Sequence, residues 1–131
     1  MKTLTFIVAL LVSAPTFALP RAADFRTANP GAKVYEEVCQ ACHMANAMGA
    51  EGAGRITALA NNPNLESADY PIAIVTGGKG PMPWFRGQMT DQQIADVINY
   101  VRSSFGNTYT DRITAADVSE RGVKAPTRGE R

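Results

Sequence analysis

The run Cys39-Gln40-Ala41-Cys42-His43 is where this sequence could do chemistry. Two thiols three residues apart on a helical turn can each form a thioether with one vinyl group of a haem. The next residue then offers its imidazole to the iron. The C-x-x-C-H spacing therefore reads as c-type haem attachment, one haem per chain. His43 is the only histidine, so no other imidazole competes for that place. A thioredoxin-like pair is a second reading, but that motif expects a βαβ setting and no strand–helix alternation is visible. A zinc site needs four ligands, and two Cys and one His fall short. A structural disulfide suits an oxidising compartment, yet so small a loop would stabilise little.

An iron held by His43 needs a sixth ligand or an open site. The chain has five methionines. Met1 goes with the expected secretory signal. Met44 follows His43 directly and cannot reach the opposite face, and Met48 is tied to the same side. Met89 precedes a helix cap and can staple onto Ile94, a packing role. Met82 differs. It lies 39 residues past His43, between Pro81 and Pro83, whose rings fix the torsions around it. The plainer reading is a methionine that fills a core gap. His43 and Met82 as axial iron ligands, with Cys39 and Cys42 as covalent anchors, form the candidate site. Such a ligand pair raises the potential of the iron.

These residues need elements to position them. Asn29 can cap a helix with Pro30 at its first position. Val34, Tyr35 and Val38 follow at helical spacing up to the Cys pair. From Ala45 to Pro63 the chain is rich in Gly, Ala and Asn and reads as one long loop. Such a loop counts against a compact fold unless something else organises it, and a wrapped haem would do so. The stretch Tyr70–Thr76 suits a strand or a helix; Ser67 and Asp69 before it and Gly77-Gly78 after it favour a short helix. Gly77 to Gly87 is the loop that carries Met82. Thr90 and Gln93 make a capping box. Ile94, Val97, Ile98, Val101 and Phe105 then form one apolar stripe, which Gly106-Asn107 ends. Thr114 caps a last short helix over Ala115–Arg121.

The two ends stand apart from this domain, which the sequence places at 29–122. Met1-Lys2, the apolar run Leu4–Val12 and the small residues up to Ala18 read as a secretory signal over 1–18, cut after Ala18. The apolar run is about half the roughly 20 residues a bilayer helix needs; an uncleaved anchor is the other reading. Residues 19–28 form a surface leader and 123–131 a frayed tail. Composition is ordinary for a globular protein, 45% apolar and 19% charged, so individual residues must carry the functional argument. The chain has 13 basic and 12 acidic residues, and loss of Lys2 leaves 12 of each. That balance speaks against nucleic acid as a partner and against a polybasic membrane patch.

The chain resembles class I cytochromes c, and among them the small bacterial ones that act as partners or subunits of periplasmic dehydrogenases. The resemblance covers about Gly31 to Asn107. Gly31, Tyr35 and the Cys39–His43 motif match the first helix of that family. Gly78-Lys79-Gly80-Pro81-Met82-Pro83-Trp84-Phe85 resembles its ligand loop, and Asp96-Val97-Ile98-Asn99-Tyr100-Val101-Arg102 its last helix. The resemblance implies an all-α fold, three main helices plus a short C-terminal one wrapped around one covalent haem c. It implies that Gly31 and Tyr35 meet Val97 and Tyr100. It also implies that a loop carbonyl accepts the proton of the ligand histidine. The family has a proline at that place where this chain has Thr57, which puts the rigidity of the loop in doubt. The function implied is a periplasmic electron carrier and not an enzyme. Its donor would be a periplasmic dehydrogenase, its acceptor an oxidase or another cytochrome, with no stable membrane insertion. The alternative is a haem enzyme or ligand-binding protein with an open iron site. That alternative wants a distal acid–base group, and no second histidine exists to supply it. Trp84 and Phe85 either anchor a docking patch or pack inward.

Overall fold

The computed structural model describes residues 29–52 and 54–124. The expected signal, the surface leader and most of the tail lie outside the described residues.

Asn29 opens the first helix as its sequence suggests. Its side chain accepts the Ala32 N–H at 3.2 Å, and Pro30 occupies the first turn, where a missing N–H costs nothing. The helix is not uniform. Helix α1 (Pro30–Val34) passes through a π-helical stretch (Tyr35–Cys39) into α2 (Gln40–His43). A π turn closes i→i+5 bonds, as the Gln40 N–H does on the Tyr35 carbonyl. One extra residue turns everything after it by about 100° relative to an unbroken helix. The Cys pair is thus re-aimed relative to Gly31 and Tyr35.

The long loop after His43 is more structured than the sequence suggests. Ala50–Glu51 (β1) and Arg55–Ile56 (β2) pair antiparallel, and Pro63–Leu65 makes a 3-10 turn capped by Asn62. The backbone bonds of so polar a segment have to go somewhere, and a short hairpin absorbs some of them. Helix α3 (Asp69–Gly77) resolves the ambiguous stretch as a helix, with Pro71 in its first turn. Helix α4 (Asp91–Arg102) begins with both halves of the expected capping box, Thr90 and Gln93. It ends at Arg102, earlier than Gly106-Asn107. Phe105 lies beyond it with φ +55°, in a turn that folds back over the helix end. Helix α5 (Ala115–Arg121) carries a second capping box, Thr114 with Asp117.

The core lies where α1, α4, α3 and α5 meet. Ile94, Val97, Ile98 and Val101 of the predicted stripe are buried with Val34, Tyr35, Leu65, Ile72, Ile113 and Val118. Helices α1 and α4 cross most closely at Gly31. A Cβ there would sit 2.1 Å from the Asp96 carbonyl oxygen and 2.8 Å from Tyr100 Cβ. The closest atoms to it belong to Asp96 and to the expected Tyr100. Tyr35 does meet Tyr100, with ring centroids 5.8 Å apart, and Phe105 completes an aromatic cluster at 5.0 and 5.5 Å from the two. Among the described residues no helix is long and apolar enough to cross a membrane.

Candidate functional site

Helix α2 presents the motif at its end. Cys39 is half-buried, Cys42 exposed, and both thiols are free. Burial pushes the Cys39 thiol up to about 11, with the neighbouring Cys42 a lesser cause. A redox-active C-x-x-C pair needs the opposite, a thiol shifted down. No cluster of three His, Cys, Asp or Glu able to hold a metal ion occurs among the described residues.

His43 shows what the motif is built for. Its Nδ1 lies 3.0 Å from the Thr57 carbonyl oxygen. A carbonyl only accepts, so Nδ1 carries the proton, and Nε2 is the nitrogen left to face a metal. The bond expected at Thr57 is thus present without a proline. A carbonyl behind a ligand imidazole fixes its orientation and raises its basicity.

Buried groups hold both ends of that bond. Met44 follows His43 with φ +66° and closes α2, and the buried Tyr35 hydroxyl donates to the Met44 carbonyl at 2.8 Å. Burial pushes that phenol up to about 12, with Cys39 and Tyr100 as lesser causes. The fully buried Ala47, with φ +59°, accepts the Leu59 and Ala60 N–H groups at 2.7 and 3.0 Å. Asn107 completes the frame. Its Nδ2 donates to the Leu59 and Val101 carbonyls at 2.8 and 2.9 Å, and its Oδ1 accepts the Asn62 N–H at 2.9 Å. Sequence reasoning saw Asn107 only as a helix stop, because its three partners are remote in the chain or set by the fold.

Met82 sits on a separate loop. Lys79 and Met82 exchange both backbone hydrogen bonds, at 3.0 and 3.1 Å, around a turn with Gly80 at φ +57°. Gly78 has φ +73°, and a Cβ there would lie 2.7 Å from the Met82 carbonyl oxygen, so the turn requires glycine. A shallow cleft of about 260 Å³ runs along Gly77 to Trp84. Trp84 is 38% exposed and Phe85 half-buried, its N–H bonded to the Val75 carbonyl. Arg86 turns inward. One guanidinium nitrogen donates to the Val118 carbonyl of α5 and lies 3.7 Å from Asp91, which ties the loop to α5.

The donor set fits a haem c: two free thiols on one helical turn, an imidazole with Nε2 left free, and a thioether on a glycine-shaped loop. Comparison with known proteins agrees. Residues 26–101 match the family described as cytochrome C oxidase, cbb3-type, subunit III. The chain is 45% identical over 103 residues to cytochrome c6 of Thermosynechococcus vestitus, which covers 72% of this chain and 80% of that protein. It is 35% identical over 112 residues to the alcohol dehydrogenase (quinone) cytochrome c subunit of Gluconacetobacter polyoxogenes, 74% of this chain. It is 33% identical over 103 residues to the gluconate 2-dehydrogenase cytochrome c subunit of Pantoea cypripedii, 68% of this chain. The match covers 23% of each of these two dehydrogenase subunits, so the chain spans about a quarter of their length. A family match over more than half the chain, and relatives aligned over most of their own length, lead to one conclusion: this chain belongs to the cytochrome c family, whose members are haem c electron carriers.

Proposed function

We propose that the chain is a periplasmic single-haem cytochrome that carries one electron at a time from a periplasmic dehydrogenase towards the respiratory chain. The observation that carries this reading is the His43 Nδ1–H bond to Thr57, directly beside two free thiols. In this reading Cys39 and Cys42 would hold the haem through thioethers, and His43 Nε2 and Met82 Sδ would ligate its iron. The haem supplies a one-electron couple at iron. The protein supplies orientation at His43, a stiff backbone at Met82 and apolar cover. With both residues as ligands the iron would keep no open site for enzyme chemistry. The dehydrogenase subunits among the relatives support a dehydrogenase as donor. The acceptor would be an oxidase or another cytochrome. Export would use the signal at 1–18, and the charge balance leaves no role for nucleic acid.

Covalent attachment is the direct test. Haem should stay with the chain through acid–acetone extraction and on a denaturing gel. Cys39→Ala should leave a single thioether and a poorly maturing protein. Haem that extracts freely from the unmodified protein would overturn the proposal.

A further inference from the structure

The geometry points to Asn107 as a positioning residue for the His43 imidazole, acting through the loop that carries Thr57. This rests on His43 as an iron ligand. Thr57 is exposed, and the 57–62 segment contains no proline and no regular helix or strand. A carbonyl on such a segment would wander unless something fixed it. Three buried groups do so: Asn62, whose Nδ2 donates to the Ala58 carbonyl at 2.8 Å within the loop itself, Ala47 and Asn107. Ala47 holds Leu59 and Ala60 through their N–H groups, but it belongs to the same stretch of chain as His43 and moves with it. Asn107 is different, because it ties the loop to the end of α4.

The amide of Asn107 is almost fully engaged. Its three bonds reach the Leu59 carbonyl, the Val101 carbonyl at the end of α4 and the Asn62 N–H. It is 6% exposed, so water cannot easily replace a lost partner. The turn before it is built to deliver it. Phe105 and Gly106 have φ +55° and +82°, the Phe105 carbonyl accepts the Asn61 N–H at 3.1 Å, and a Cβ on Gly106 would lie 2.2 Å from Asn61 Oδ1. Positive φ at Phe105 and at Asn61 (+48°) is strain that the fold retains at this junction, as it does at Met44 and Ala47 beside His43. The path is short: α4 end, Asn107, Leu59, and two residues back to Thr57 and His43 Nδ1.

Asn107→Ala should loosen the Thr57 carbonyl and weaken its bond to Nδ1–H. A less basic imidazole stabilises ferric iron less, so the potential should rise. The expected shift is about threefold in the reduction equilibrium, about 30 mV at 59 mV per decade for one electron. Thr114→Ala, which removes the cap of α5, is the control: it should lower Tm and leave the potential alone. If Asn107→Ala loses stability with an unmoved potential, Asn107 is only structural and the proposal fails. Asn107→Ser keeps one donor and one acceptor, and takes the same test if the alanine variant does not mature. The unmodified ferrous protein gives a second reading by NMR. The His43 Nδ1–H and the Asn62 N–H should exchange with similar protection, because one opening releases both. Protection more than about tenfold lower at Nδ1–H would also overturn the clamp. Strongly ring-current-shifted His43 protons report ligation independently. Their absence would sink the ligand assignment, a result distinct from failure of the clamp.

Discussion

The two loops that carry the candidate ligands are held in opposite ways. The His43 side is framed by buried polar groups: Tyr35 on Met44, Asn107 on Leu59 and Asn62, and Thr57 on the imidazole itself. The Met82 side relies on backbone torsion. Two prolines, two glycines with positive φ and a single Lys79–Met82 turn shape it, and its surface stays largely open. An imidazole needs its second nitrogen satisfied, so its support must be polar and specific. A thioether has no proton to place, and a stiff loop is sufficient. The difference teaches that Met82, as the proposed ligand, should be the easier one to lose.

Met82→Ala tests that difference most severely. The ferric protein should lose the weak long-wavelength absorption that accompanies methionine ligation, and the ferrous protein should bind carbon monoxide readily. The haem should stay attached, since Cys39, Cys42 and His43 are untouched. The potential should fall, because the methionine ligand raises it. If Met89→Ala has these effects and Met82→Ala does not, the ligand loop has been misassigned. Met89 packs half-buried against the core, so its removal should cost stability alone.

A smaller effect is expected on the polar side. Tyr35→Phe removes the hydroxyl that holds the Met44 carbonyl beside His43 and should cost about 1 kcal/mol at neutral pH. The phenol is pushed up to about 12 in the folded protein, against 10.0 when unperturbed. Above pH 10 the unfolded chain gives up this proton first, so it binds fewer protons than the native state. Stability then falls with rising pH, and the loss is complete once pH passes about 12. Denaturant titrations from pH 9 to 12 should show a steeper decline for the unmodified protein than for Tyr35→Phe. Parallel curves would mean that Tyr35 does not favour its neutral form in the fold.

How far the sequence reveals this arrangement depends on the range of the interactions. The starts of α1, α4 and α5 are legible at Asn29-Pro30, Thr90-Gln93 and Thr114, because a cap is a bond between a side chain and its own next turn. The Cys39–His43 motif is legible because its spacing is the chemistry. The π turn over Tyr35–Cys39 is not, since no local pattern marks an i→i+5 bond. Arg102 reads as one more polar residue of the last helix, yet it is fully buried. Its guanidinium donates to the Leu65, Glu66 and Asp111 carbonyls at 2.8, 2.9 and 2.6 Å and pairs with the Asp111 carboxylate at 2.7 Å. That pairing holds the Asp111 carboxyl below its ordinary range. Val123 lies in the stretch the sequence assigns to the tail, and its N–H donates to the buried Thr76 hydroxyl at 2.9 Å. Each of these depends on residues brought together only by tertiary packing.

The smallest expected effect concerns salt, and it follows from the openness of the Met82 side. Carriers steered by charge show a strong surplus on the docking face, and their association slows steeply as ionic strength rises. Here the ligand loop holds two charges, Lys79 and Arg86. Arg86 is turned inward against Val118 and Asp91, and Lys79 lies 5.7 Å from the centre of the Tyr70 ring. What faces outward is the exposed Lys79, its one outward charge, with Pro81, Pro83 and the 38%-exposed Trp84, beside the half-buried Met82. A patch of this kind suits a transient redox contact, below roughly 1,200 Å² in total. Stopped-flow reduction by the dehydrogenase proposed as donor should therefore slow by less than about fivefold between low and moderate ionic strength. Trp84→Ala should weaken the encounter at every salt concentration without changing the slope, because the ring contributes contact area and no charge. A hundredfold fall with salt would place the docking face elsewhere, on a charged surface, and the Met82 side would then be open for a reason other than docking.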